Sequence, residues 1–365
     1  MTKLLILLAW MLIMNSQHQQ PPPQRQIDIN SAKNVVELKI IYQSDIPTSS
    51  PIDLVFIPNT QILAFINGGS IVDNGNLIFY NIELGVFFEL LDETTQAVRV
   101  ISDETGSRLF TGNRQGDVSV FNIETGQKIN NFSANNEVIE AIDISKDGQY
   151  IATASTNSMI GEGIYAFSLF FETGEPIFQK NLSDGDGLAT TFIDKLDLIV
   201  YVTETSQEGI VRLLDIKSGE ELSSCHGHNF TSREIISLSK EDYVFYAASD
   251  GVQKWDLKDC GDYPNASSLF VKIPDGEQIW TMVVNPEETI LAIGGRNYLK
   301  PDKPGIIRLI DLDTSELLKI IEIPFIENMN DYPTIYTLAF SPDGTLLASG
   351  GQDGTVRLWG IPSGE

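Results

Sequence analysis

Seven times along the chain a turn cluster stands between two short apolar strands, and that recurrence narrows the possible folds more than any other feature. The sharpest copy is Thr337–Gly360, TLAFSPDGTLLASGGQDGTVRLWG, which reads as three short strands and two tight turns. TLAF and TLLAS are apolar or alternating, TVRLW alternates, and Ser341-Pro342-Asp343-Gly344 and Gln352-Asp353-Gly354 are the turns. Asp and Gly supply the left-handed corners that such reversals need. A hairpin pair of this size cannot bury its apolar face alone. It needs copies of itself or another partner.

The copies are present. Equivalent turns follow an apolar strand at Pro58-Asn59-Thr60, Ser102–Gly106, Ser145–Gly148, Asp194–Asp197, Ser239–Asp242, Asn285–Glu288 and Ser341–Gly344. Their spacing, roughly 43 to 56 residues, suits the period of about 40–50 expected for four-stranded propeller blades. With 365 residues, 42% hydrophobic, and 29 Gly and 16 Pro for turns, the chain can supply seven such units. The expected fold is therefore all-β: a seven-bladed β-propeller of four-stranded antiparallel blades.

A second marker keeps the same register. The third strand ends in an apolar residue followed by Asp or Asn at Tyr80-Asn81, Phe121-Asn122, Leu214-Asp215, Trp255-Asp256 and Ile310-Asp311. Leu169-Phe170 and Trp359-Gly360 hold the remaining two positions, and turns such as Glu124-Thr125-Gly126 and Lys217-Ser218-Gly219 come next. With these spacings the chain resembles the WD40-repeat family over about Val35 to Glu365, closely in the last unit and loosely elsewhere. The Gly-His element of that family's pattern stands clearly only at Gly227-His228. The resemblance implies structural roles for His228, Asp250 and Trp255 in the fifth unit, and for Ser349, Asp353 and Trp359 in the last.

The two ends of the chain fit together. After Gly364 the repeat calls for a fourth strand, and the sequence continues only to Glu365. Val35-Val36-Glu37-Leu38-Lys39-Ile40-Ile41 has the alternation of Leu317–Ile321 and can complete the last blade. Closure in this manner removes two sheet edges.

Ahead of the ring, Met1-Thr2-Lys3 and the apolar run Leu4–Met14 resemble a secretory signal peptide, too short to span a bilayer comfortably. The expected division is residues 1–16 as signal or short anchor, 17–30 as a polar, proline-rich linker (QHQQPPPQRQ at its start) and 31–365 as propeller. Export follows as the expected localisation, whether secreted, periplasmic or at the cell surface, with no other membrane insertion.

Chemistry-bearing motifs are sparse. The formal net charge of −26 disfavours nucleic acid and anionic membrane surfaces as partners. Cys225 and Cys260 are the only cysteines and are not expected to pair. His226-Gly227-His228 lacks a third metal ligand at a telling spacing. Ser183-Asp184-Gly185-Asp186-Gly187 carries two carboxylates but not the rest of a calcium loop, and reads as an acidic connection from the fourth strand of one unit to the first strand of the next. No serine elbow, phosphate-binding glycine loop or zinc-binding helix motif occurs. No catalytic residue, metal or cofactor is assigned.

Loop lengths carry the functional signal. Connections between second and third strands expand at Asn67–Gly75, Thr156–Gly163, Thr203–Gly209 and Arg296–Gly305, and the longest fourth-to-first connection is Pro324–Pro333. In the WD40 arrangement these share one face, and insertions on one face commonly mark a binding surface. Met159, Ile160, Tyr298, Phe325, Met329 and Tyr332 lie there and are of types favoured as interface anchors. The expected function is a non-catalytic, monomeric scaffold that binds a protein or peptide partner, cationic in character, on this loop-rich face. The alternative is a hydrolase- or lactonase-like propeller enzyme with a metal in the central channel. Carboxylates on the innermost strands would separate the two, and Asp143 is the one candidate expected there.

Overall fold

The computed structural model describes residues 25–43, 50–68, 75–89, 97–135, 137–156, 165–181, 185–205, 209–228, 230–248, 250–257, 267–299, 305–323 and 333–362. The expected signal segment, Cys260 and most of the long loops lie outside them. Among the described residues no helix is long and apolar enough to cross a membrane.

Seven antiparallel sheets of four strands each make up the chain. The seven innermost strands are Pro51–Ile57, Ala97–Ser102, Val138–Ile144, Gly185–Ile193, Phe230–Ser237, Glu277–Val284 and Ile335–Phe340. Each sheet runs outward in chain order, so successive strands are hydrogen-bonded neighbours. The last blade alone borrows a strand. Val36–Gln43 pairs with Thr355–Gly360, from Val36 opposite Gly360 to Gln43 opposite Thr355. The N-terminal strand thus closes the ring at its expected place.

The core is divided rather than single. Among the described residues there are seven apolar clusters, one in each seam between adjacent blades. The cluster joining last blade to first packs Leu346, Val356 and Leu358 against Leu54, Phe65 and Tyr80. Strands buried on both faces explain why the inner and middle strands read as continuous apolar runs instead of alternating ones.

The turns at the end opposite the loop-rich face follow the sequence's own signals. Gly106, Gly148 and Gly344 take φ of +67 to +69°, and Asn59, Asp197 and Glu288 take the same left-handed corner in other blades. In the connection from third to fourth strand, Gly85, Gly126, Gly174 and Gly219 are left-handed, and Ser315 fills that place in the sixth blade at φ +60°.

Two local expectations are corrected. Glu204 pairs with Gly209, so the fourth blade's expected expansion at Thr203–Gly209 is a lengthened hairpin rather than a loop. Gly185–Gly187 likewise pairs with Thr203–Thr205 and begins an inner strand instead of forming a connection. In both places small and β-branched residues extend the ladder past the apolar core that marked the strand. His226-Gly227-His228 also lies within an outer strand, Glu221–His228, with His228 opposite Gly209.

Candidate functional site

The innermost strands share an irregularity that the sequence does not announce. Each carries a register shift near its start, at the loop-rich end. In six blades one residue is extruded: Ile52, Val98, Glu140, Leu188, Trp280 and Tyr336. A β-bulge re-aims its side chain and bends the strand. The result is a circle of extruded positions at one mouth of the central channel.

The sixth and seventh blades make an aromatic corner of this circle. The rings of Trp280 and Tyr336 meet edge to face at 5.4 Å, and the Arg296 guanidinium lies 5.6 Å from the Trp280 ring centre. Gln278 accepts a hydrogen bond from Arg296 Nε at 3.0 Å, which fixes the guanidinium over the ring. Just outside, Tyr298 and Leu299 are exposed, the latter 60% so. Their backbone is nevertheless held: Tyr298 N–H donates to Gly276 O at 2.8 Å, and Leu299 N–H to Asn297 Oδ1 at 3.0 Å. Exposed apolar side chains on a pinned backbone lose little further freedom on binding. Of the six expected anchors, Tyr298 is placed on this rim. Met159, Ile160, Phe325, Met329 and Tyr332 lie outside the described residues.

Deeper in the channel the inner strands carry more charge than expected. Asp53 and Glu234 stand there beside Asp143, together with Arg99, which reaches the extruded Glu140. The reading that left Asp143 as the one inner-strand carboxylate is corrected: strands one and five begin further upstream than their apolar cores. These side chains face a lumen rather than a seam, so their polarity costs less than in the blade interiors. They lace neighbouring blades together. Asp53 accepts from Val100 N–H at 2.8 Å and from Thr337 Oγ1 at 3.4 Å, joining blades two and seven to one. Asp143 accepts from Phe192 N–H of the fourth blade at 2.9 Å. Arg99 bonds the carbonyl of Glu140 and pairs with its carboxylate at 3.5 Å. Ser237 Oγ donates to Phe192 O at 2.7 Å, carrying the lacing to the fifth blade.

Burial pushes these carboxyls up. Asp53 is raised by burial, against the opposing pull of Arg99. Asp143 is raised to about 7 by burial, in spite of the N–H groups it accepts, and Glu234 to about 8 by burial, with Asp53 and Asp143 adding repulsion against Arg99's attraction. Raised carboxyls in a channel are the usual mark of acid–base chemistry. Here, however, each aspartate offers one oxygen to its own strand's next N–H (Leu54, Ile144) and the other to the neighbouring blade. Among the described residues no group of three or more His, Cys, Asp or Glu side chains is placed to hold a metal ion. The metal-channel arrangement finds no ligand set in them.

The last blade's polar residues are engaged within the blade. Trp359 Nε1 donates to Ser349 Oγ at 2.9 Å. Asp353 accepts from Thr355 N–H at 3.1 Å and Thr355 Oγ1 at 2.8 Å, and pairs with the buried Arg357. In the fifth blade Trp255 is buried with its ring 5.6 Å from Tyr246, Asp250 accepts from Gln253 Nε2 at 3.0 Å, and the His228 side chain lies outside the described set.

Sequence comparison points the same way. The WD domain, G-beta repeat family matches residues 328–360. Eukaryotic translation initiation factor 3 subunit I of Anopheles gambiae is 23% identical over 70% of this chain and 78% of its own length. A serine-threonine kinase receptor-associated protein of Dictyostelium discoideum is 24% identical over 41% of this chain and 43% of its own. Autophagy-related protein 18 of Debaryomyces hansenii is 28% identical over 40% of this chain and 25% of its own. The expectation of export is overturned by these relatives, which include initiation factor subunits from several organisms, components of cytoplasmic translation. A short apolar run after a basic start is compatible with more than one role, and its composition alone does not select export.

Proposed function

This chain is a WD40-repeat β-propeller, and from that premise we propose that it works as a non-catalytic scaffold whose loop-rich face receives a protein or peptide partner. The relatives are named for a translation factor subunit, a receptor-associated protein and an autophagy-related protein rather than for a catalytic activity. The observation that carries the choice of face is the aromatic corner: Trp280, Tyr336 and Arg296 in mutual contact at the channel mouth beside exposed Tyr298 and Leu299. Aromatic residues and Arg are the side chains most often found as binding anchors. The ring contributes rigidity, since its inner strands are laced by side chains from the seventh blade round to the fifth. The partner segment carries apolar anchors and a net positive charge, complementing a chain of formal charge −26. The propeller acts as a monomer.

The enzyme alternative would place its chemistry on the channel carboxyls. It is the weaker reading, because Asp53 and Asp143 spend both oxygens on backbone N–H groups. The test is capture of partners from the source organism's lysate by the intact chain and by a Tyr298→Ala, Leu299→Ser variant. The reading expects affinity for the captured partner to fall about tenfold, the loss of one good anchor, at unchanged thermal stability. Equal affinity would remove this face from consideration.

A further inference from the structure

The chain carries 50 Asp and Glu against 24 Lys and Arg, so a half-buried cation should find a carboxylate close by. Arg99, Arg108, Arg212, Arg308 and Arg357 all do, each with an Asp or Glu oxygen at 3.8 Å or closer. Arg296 does not. Among the described residues its contacts are uncharged: Nε donates to Gln278 Oε1 at 3.0 Å, and the guanidinium lies 5.6 Å from the Trp280 ring centre. Gln278 stands opposite Arg296 in the ladder, and the adjacent Glu277 gives both its oxygens to Arg308, at 2.8 and 3.0 Å. Arg114 is likewise half-buried and unpaired among the described residues, but it stands on a hairpin turn with no aromatic ring against it. Arg296 is thus an aimed cation, its Nε edge occupied and its Nη1 and Nη2 edge left for another acceptor.

We propose that Arg296 sets the specificity of the loop-rich mouth by receiving the side-chain carboxylate of an Asp or Glu in the partner segment. Resting on the reading of that mouth as the receiving face, this role sharpens the partner's description. The segment, positive overall, carries one acidic residue in register with its apolar anchors. A guanidinium fork matches a carboxylate with two parallel hydrogen bonds. Gln278 and the Trp280 ring already hold the fork in place, so little freedom is lost when the pair forms. A singly charged carboxylate suits a chain of formal charge −26 better than a phosphate bearing nearly two charges. Apolar anchors flank Arg296 on both sides, Trp280 and Tyr336 toward the channel and Tyr298 and Leu299 outward, so a segment continues past it and offers a side chain rather than its end. Segments without the acid are disfavoured, because covering the guanidinium strips its water and returns no counter-charge.

The test uses random peptides displayed on phage, panned on the full chain and resynthesised with a fluorophore. Those whose affinity falls in the Tyr298→Ala, Leu299→Ser variant bind the loop-rich mouth. Among them an Asp or Glu should recur at a fixed distance from an aromatic or aliphatic residue. Its replacement by Asn or Gln, and Arg296→Gln in the protein, should each weaken binding in fluorescence anisotropy about tenfold or more, the loss of a charge-assisted pair. The two changes together should cost little beyond either alone. Arg296→Lys, which keeps the charge without the fork, should restore only part of the affinity. Mouth-binding peptides with no recurrent acid, or indifferent to Arg296→Gln, would overturn the proposal and leave the choice of face standing. Peptides sensitive to neither Arg296→Gln nor the Tyr298→Ala, Leu299→Ser change would remove the face itself, and the proposal with it. A phosphoserine at the acid's position that binds more than about tenfold tighter would overturn the choice of a carboxylate. A Tm lowered by Arg296→Gln at unchanged peptide affinity would overturn it too, meaning that the cation serves the fold alone.

Discussion

Replacing Asp353 by Asn should be among the most damaging single changes in the last blade, and the structure allows its size to be worked out. Asp353 and Arg357 side chains are 2% and 5% exposed, and the Arg357 Nη1 group donates to both Asp353 Oδ2 and Thr355 Oγ1. Its Nε lies 3.1 Å from Glu37 Oε2, on the strand that closes the ring. Asn at 353 can still accept from Thr355 but removes the charge, leaving a buried guanidinium balanced only by the half-exposed Glu37. Breaking a buried pair from one side costs about 3–5 kcal/mol. An unfolding entropy of about 2.1 cal/mol/K per residue over roughly 340 residues gives about 0.7 kcal/mol/K, so about 4 kcal/mol lowers Tm by about 6 °C. Arg357→Met should cost a similar amount by stranding Asp353. The double variant, Asp353→Asn with Arg357→Met, should lose less than the sum, since neither charge is then left buried alone. Calorimetry on the four proteins gives the coupling energy. Additive losses, or a single-variant cost below about 0.5 kcal/mol, would refute the view that this pair acts as a buried unit.

Other expectations follow from the channel and the turns. Asp143 and Glu234 have folded-state values near 7 and 8, above their ordinary 3.8 and 4.5, so the folded ring holds extra protons between about pH 4 and 8. Stability from these groups is therefore greatest at the acid end of that window and falls as pH rises through it, by up to about 1.4 kcal/mol per pH unit for each proton. Thermal melts from pH 5.5 to 8.5 should show the decline in wild type and a shallower one in Glu234→Gln; parallel slopes would contradict the assignment. Ser315→Gly should raise stability by up to about 1 kcal/mol, because a non-glycine residue there holds φ +60°. A loss of stability in urea titration would mean that the Ser315 side chain matters in a way its backbone does not indicate.

What could be read from the chain in advance was whatever is decided locally. Turns such as Ser341-Pro342-Asp343-Gly344 carry their geometry in their own residues, so counting them counted the blades. The closing strand was legible because Val36–Ile41 repeats the alternation of the other outer strands. The bulges were not, since an extruded Trp280 or Tyr336 is defined by its pairing with a neighbour strand and not by its own type. Asp53 and Glu234 were missed because strands were delimited by apolar cores, whereas a channel wall tolerates charge. Tyr298 was reachable from loop length alone, but the corner beside it was not.

The central claim is that this propeller works by receiving a protein segment at the loop-rich mouth. Hydrogen exchange on the intact chain, with and without its captured partner, tests that directly. The account predicts slowed exchange at 276–281, 296–299 and 334–337, with the opposite end and the outer rim unchanged. Protection confined to the outer strands or the opposite turns, with the Trp280 corner exchanging as in the free protein, would contradict it.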